Sequence, residues 1–184
     1  MPKDYASTPR AQVRRSDRAV SDETWIKQLL QRAPIGVLAT VHDGQPFLNS
    51  NLFVYDEAEH AIYMHTARVG RTRANIEDAA RVCFTVYEMG RLLPAEFALN
   101  FSVEYTSVVV FGTATSLNDE QQAIDALHLL VQKYAPHLQR GRDYRGVIPE
   151  ELARTGVFRI AIEEWTGKKK EAPKDFPGAY MYGS

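Results

Sequence analysis

Apolar and polar residues alternate along much of this chain with the period of β-strands, and three stretches switch to a helical period. Over 21–32, SDETWIKQLLQR puts Trp25, Ile26, Leu29 and Leu30 on one helical face. Ser21 is the expected N-cap, with Asp22 and Glu23 in the first turn, where the helix dipole favours acids. Pro34 stops the helix. IGVLATV (35–41) then reads as a strand, His42-Asp43-Gly44 as a hairpin turn, and QPFLNSNLFVYD (45–56) as the returning strand. AIYMHT (61–66) is a third strand and TRANIEDAA (72–80) a short helix. RVCFTVYEMG (81–90) is a fourth strand. RLLPAEFALNF (91–101) has no clean period and reads as a loop. VEYTSVVVFGTATSL (103–117) is the strongest strand, and Gly112 in its middle signals a bulge or bend.

Asn118 is the expected cap of a second amphipathic helix, NDEQQAIDALHLLVQKYA, with Ile124, Leu127, Leu130 and Val131 on its apolar face. PEELAR starts a helical turn with Pro149 at its first position. GVFRIAIEEW (156–165) is the last strand, with Val157, Arg159 and Ala161 on one face and Phe158, Ile160 and Ile162 on the other. Six hairpin-linked strands and few helices predict a mainly β protein, a small antiparallel barrel that removes its own sheet edges. The length suits a single domain over 1–184.

Charge and cysteine content narrow the picture. The 22 basic and 23 acidic residues leave a net charge of −1, which gives no bulk attraction to nucleic acid or membrane. The lone Cys83 rules out a disulfide within the chain and reads as a small buried hydrophobe in a reducing compartment. No apolar run reaches the ~18–20 residues of a spanning helix, and residues 1–20 lack the apolar core of a secretory signal. The expectation is a soluble, cytoplasmic protein. Residues 1–20 read as a loose arm, or one that lies over a partner subunit. The five histidines show no metal-ligand spacing, no GxSxG elbow surrounds Ser50 or Ser107, and both Walker and GxGxxG motifs are absent. Glu163 and Glu164 are expected on opposite faces of their strand, and Lys168–Lys169–Lys170 to be a solvated run.

One segment carries candidate chemistry. In YMHTARVGRTRANI (63–76) a strand ends in His65-Thr66-Ala67, and Arg68, Arg71 and Arg73 surround Gly70 where a helix begins. Arginine forks onto phosphate, glycine lets a backbone approach a ligand, and the first N–H groups of a helix point at an anion. A phosphate is the guest this arrangement suits. The competing reading pairs Arg73 with Glu77 along the helix surface and leaves the other arginines solvated.

The order of four stretches is similar to a known family. They are the opening helix with IGVLATVHDGQPFLNSNLFVYD, then IYMHTARVGRTRANI, then YTSVVVFGTA, and last the strand ending in WTGK. The chain resembles the pyridoxamine 5′-phosphate oxidase-like flavoproteins of the FMN-binding split-barrel fold, and within them the Nim-type 5-nitroimidazole resistance branch. The match covers 18–170, leaving an arm (1–17) and a tail (171–184). The resemblance implies a six-stranded antiparallel split barrel flanked by helices, a homodimer, and FMN at the subunit interface, with the deazaflavin F420 or haem as alternatives. It implies that Arg71 grips the phosphate, with Gly70 and the Thr72 hydroxyl beside it in the cradle already read from the residues, and that His65, Thr66 and Ala67 line the ring and ribityl chain. Asn49, Ser50 and Asn51 face the ring, Ser107 comes from the partner, and Trp165 and Lys168 approach from the C-terminal segment. It implies an oxidoreductase acting on a small electrophile such as a nitroaromatic, with His65 as the catalytic candidate. Readings without turnover are a flavin-binding, deazaflavin-binding or haem-binding protein (His65 or His137 as axial ligand), or one that sequesters a small molecule. Many relatives carry Lys where Thr72 stands, and the pyridoxal-phosphate-binding arginines of true pyridoxamine phosphate oxidases are not recognisable here. A vitamin B6 oxidase is therefore disfavoured.

Overall fold

The structure is a computed structural model that describes residues 6–183. Its helices are α1 (Glu23–Arg32), α2 (Arg71–Asp78), α3 (Glu120–Tyr134) and α4 (Pro149–Leu152). Its strands are β1 (Ala19–Val20), β2 (Gly36–His42), β3 (Gln45–Asn51), β4 (Phe53–Asp56), β5 (Ala61–Ala67), β6 (Arg81–Leu93), β7 (Ser102–Ser116) and β8 (Thr155–Lys170). They form one antiparallel sheet in the order β3-β2-β6-β7-β8-β5-β4, with β1 added to β8.

The count is eight strands rather than six, and one of the two extra strands has a local cause. The expected strand 45–56 breaks at Leu52. Its first half pairs with β2 and its second with β5, at opposite ends of the sheet. Side chains satisfy the backbone where the ladder stops. Asn51 Oδ1 accepts the Leu52 N–H (2.9 Å), Asn51 Nδ2 donates to the His65 carbonyl, and the Phe53 N–H donates to the Tyr134 hydroxyl (3.0 Å). One covalent segment thus joins the two sheet edges, and the barrel is split along that seam. The remaining strand, β1, has only two residues and no pattern to announce it.

Alternation along the strands sorts the apolar residues onto two faces. Phe53, Tyr55, Ile62, Met64, Phe158 and Ile160 point inward with Phe84, Val86, Val108 and Val110, and α1 closes this core with Ile26, Leu29 and Leu30. Val54, Tyr63 and Val157 point the other way and meet α3 and Leu152. The buried stripe of α3 is Ala123, Ala126 and Leu130, with Ile124 and Leu127 only partly covered. The small alanines let the helix axis lie close to the sheet, so the larger residues sit at the flanks.

Several local expectations shift by a residue or more. Asp22, not Ser21, caps α1, accepting from Thr24 N (2.9 Å), and Asp119, not Asn118, caps α3, accepting from Gln122 N (2.8 Å). Residues 91–93 continue β6 rather than entering the loop, because Arg91 forks onto the Glu104 carboxylate of β7 (2.7 and 2.8 Å). β8 runs to Lys170, five residues beyond its expected end. The lysines there have partners: Lys169 pairs with Glu171 (2.6 Å), Lys170 meets Ser102 Oγ, and Lys168 lies over the Tyr105 ring.

The arm is tied to its own chain. Arg10 pairs with both Glu163 (2.8 Å) and Glu164 (2.8 Å), so these carboxylates do not point apart as strict alternation required. The reason is a bulge. Phe111 pairs with Glu164 while Gly112 pairs with Ile162, leaving Glu163 as the extra residue of β8. The five residues before Ala6 lie outside the described region. No helix among the described residues is long and apolar enough to cross a membrane.

Candidate functional site

The segment around Gly70 joins the end of β5 to α2. Gly70 has φ 146°, a conformation that residues with a Cβ rarely adopt, and a Cβ placed there would meet nothing within 4 Å. Gly70 thus turns the chain sharply and leaves open space in front of the helix. The first bond of this turn runs from Ala74 N to Gly70 O (3.1 Å), so the N–H groups of Arg71, Thr72 and Arg73 have no intrahelical acceptor. No acid lies in the first turn of α2 to neutralise its positive end.

The three arginines separate into different roles. Arg73 Nε donates to Glu77 (2.7 Å), the helix-surface pairing anticipated above. Arg68 donates to the Leu152 carbonyl (3.1 Å). Arg71 is exposed and has no protein partner among the described residues. The sequence-predicted anion grip therefore rests on Arg71 together with the helix N-terminus. Thr72 is turned inward: it is buried, and its hydroxyl accepts from Asn49 Nδ2 (3.1 Å). Asn49 and Asn51 share one face of β3, while Ser50, between them, faces the other way and is exposed.

Asn49, Asn51, His65, Gly70, Arg71 and Thr72 are therefore one neighbourhood, stitched by Asn49–Thr72 and Asn51–His65. Thr66 and Ala67 continue it along β5, and the Thr66 hydroxyl donates to the Ala67 carbonyl (2.9 Å). Ser107, Trp165 and Lys168 lie elsewhere on the same chain. Val157 is the residue of β8 opposite His65, so Trp165 is eight residues further along, roughly 26 Å at strand rise. The Trp165 ring packs against His60 (4.6 Å between centroids) and Tyr55 (6.1 Å), and Ser107 pairs with Lys168. His137 sits on an exposed turn after α3.

Sequence reasoning missed the buried support of α2. Asn75 is almost fully buried and donates to the Thr40 hydroxyl (2.9 Å), fixing the helix to β2. The only signal was an asparagine at a position of α2 where the pattern calls for an apolar residue.

His65 itself is half-buried, and its Nδ1 is enclosed without a hydrogen-bond partner. Burial lowers its pKa below the ordinary 6.5, and burial likewise lowers that of His128 on α3. In the unfolded chain these rings protonate near 6.5, while the folded protein resists it. Their contribution to stability is complete above that pH and is lost as pH falls through 6.5 towards the folded values. The urea midpoint is expected to drop between pH 7.5 and 5.5, and His65→Asn to flatten part of that slope. A midpoint that rises on acidification would contradict the buried neutral imidazole.

The chain is thus an antiparallel barrel split at Leu52, with an arginine unpaired among the described residues and a helix N-terminus beside its seam. The chain belongs to the pyridoxamine 5′-phosphate oxidase family, whose model matches residues 22–169. Among solved structures it is similar to the flavocytochrome Anf3 from Azotobacter vinelandii (26% identity over 90% of this chain and 76% of that one, TM-score 0.80). It shares its fold with the FAD and heme binding protein from Mycobacterium smegmatis (22%, 84% and 74%, TM-score 0.75). It also shares it with a candidate 5-nitroimidazole antibiotic resistance protein from Bacteroides thetaiotaomicron (16%, 83% and 90%, TM-score 0.68). No curated protein matches the chain.

Proposed function

We propose that this protein binds a flavin through its phosphate and serves as an oxidoreductase for a small electrophile, a nitroaromatic being the class to test first. The observation that carries the reading is the pairing of Arg71, free of partners among the described residues, with the N–H groups after Gly70 that have no intrahelical acceptor. Flavin-containing relatives of the same fold support it. The residues present suit such a group: an anion cradle at one end, and Asn49, Asn51 and the enclosed His65 Nδ1 beside it.

Bound flavin supplies the electron-carrying chemistry. The chain positions and polarises. Arg71 and the helix N-terminus hold the phosphate. Asn51 fixes the strand end that carries His65. Because burial lowers the His65 pKa, the ring is neutral near pH 7 and carries one N–H donor and one acceptor rather than a fixed charge.

The reading includes a homodimer. Ser107, Trp165 and Lys168 cannot reach the Arg71 neighbourhood within one chain, and a second copy would supply them. Apolar side chains exposed on β3 and β6, including Leu48 (64%) and Tyr87 (68%), give such a copy a surface to cover.

The test is the visible spectrum of the purified protein, followed by turnover with a 5-nitroimidazole and an excess electron donor. Twin oxidised-flavin bands and product beyond one equivalent per site are expected. Consumption that stops at one equivalent would indicate sequestration, and a Soret band would indicate haem, which a flavocytochrome relative makes a specific second reading. A colourless protein that takes up no flavin would remove the proposal.

A further inference from the structure

A hollow of about 330 Å³ lies on the α3 side of β5, between that helix and the turn that joins β4 to β5. No residue of the anion cradle lines it. Three carboxylates do: Asp56 and Glu59 from the turn, and Asp125 from α3. Arg159 of β8, opposite Tyr63 in the ladder, is the one cation among the lining residues. It is already engaged, donating to the Glu59 carbonyl (3.2 Å) with the Glu59 carboxylate 3.7 Å away. Asp56 accepts from the Ala58 and Glu59 N–H groups (2.9 and 3.4 Å), and Asp125 from the Gln121 amide (2.8 Å). Neither has a cationic partner among the described residues, so two negative charges line the hollow uncompensated.

Tyr63 is the independent sign of a guest. It is only 9% exposed and lines the hollow, and its hydroxyl has no hydrogen-bond partner among the described residues. A phenol this deeply buried is ordinarily paired. The hydroxyl is not fully enclosed, and the hollow is what gives access to it. Leu117, Ala126 and Leu129 add apolar surface beside these polar groups.

We infer that this hollow binds a small organic cation, a primary ammonium carried on an aromatic or short alkyl group. The ammonium suits Asp56 and Asp125, and the Tyr63 hydroxyl can accept one of its three N–H donors. The carbon skeleton suits Leu117, Ala126 and Leu129. A bare metal ion does not fit, because no three carboxylate, histidine or cysteine side chains among the described residues are placed to hold one. An anion would meet the wrong charge. The volume lies at the low end of small-molecule sites and matches a guest the size of benzylammonium. The site is independent of the flavin reading.

The experiment titrates the full chain with benzylammonium chloride by calorimetry, with benzyl alcohol as the neutral isostere and magnesium chloride as the metal probe. Saturable binding of one benzylammonium per chain is expected, with benzyl alcohol weaker by roughly tenfold or more. Asp125→Asn, on the exposed side of α3, should weaken benzylammonium by roughly fivefold or more. Tyr63→Phe removes only the hydroxyl and should weaken it roughly two- to fivefold. Glu150→Gln, on α4 and outside the hollow, should leave it unchanged, which separates the site from general attraction to acidic surface. Thermal unfolding checks that the variants keep the fold. No saturable binding by the unaltered protein, or equal binding of benzyl alcohol, would overturn the inference. So would an affinity that survives Asp125→Asn, or one that Glu150→Gln weakens as much. Magnesium bound as tightly as benzylammonium would make this a metal site and overturn it too.

Discussion

Replacing Arg71 by alanine is expected to strip the protein of flavin while leaving its fold in place. Arg71 is exposed, makes no contact that the fold needs, and stands beside N–H groups with no acceptor. A charge-assisted hydrogen bond contributes about 1.5–3 kcal/mol, so affinity should fall roughly 10- to 100-fold. The helix N-terminus keeps a residual grip, because its N–H groups belong to the backbone. Arg71→Lys should recover part of the loss, since it restores the charge without the fork. The control is Arg159→Ala, an arginine near Glu59 and away from the seam. Thermal unfolding should be unchanged for apo-Arg71→Ala. Full flavin occupancy in that variant would move the phosphate away from α2.

Gly112→Ala is expected to be the most damaging small substitution. A Cβ at Gly112 would lie 2.2 Å from the Ala161 carbonyl oxygen. That oxygen belongs to the central β7–β8 pair and cannot rotate away as a side-chain tip could. The bulge at Glu163 brings the two backbones this close, and Arg10, Glu163 and Glu164 meet over it. Forcing the strands apart would disturb the longest ladder of the sheet and the buried Val110 and Ile160 beside it. Overpacking typically costs about 1–3 kcal/mol, and the fixed backbone oxygen puts this site at the upper end. A loss of stability below about 1 kcal/mol, read from the urea midpoint and slope, would mean the bulge can relax.

The legible part of the site followed from short-range chemistry. A glycine amid arginines at a strand-to-helix handover reads as an anion cradle in any context, and α2 begins at Arg71 as that reading needs. The same segment could not say which arginine was free. Arg73 turned to Glu77 along its own helix, which spacing allowed, but Arg68 turned to a carbonyl of α4, eighty-four positions away. Thr72 looked like a phosphate hydroxyl and instead anchors to Asn49 of a strand that precedes it.

What the sequence determined by itself was the set of elements and their faces: period-2 strands, amphipathic helices, the Gly112 irregularity and the cradle at Gly70. These depend on neighbours within a few residues, where propensity and periodicity act. The break at Leu52, the bulge that turns Glu163 and Glu164 onto one arginine, and the acidic hollow beside α3 were decided only in the tertiary structure. Each arises where segments far apart in sequence compete for the same hydrogen bonds or the same space, and no local pattern records which of them wins.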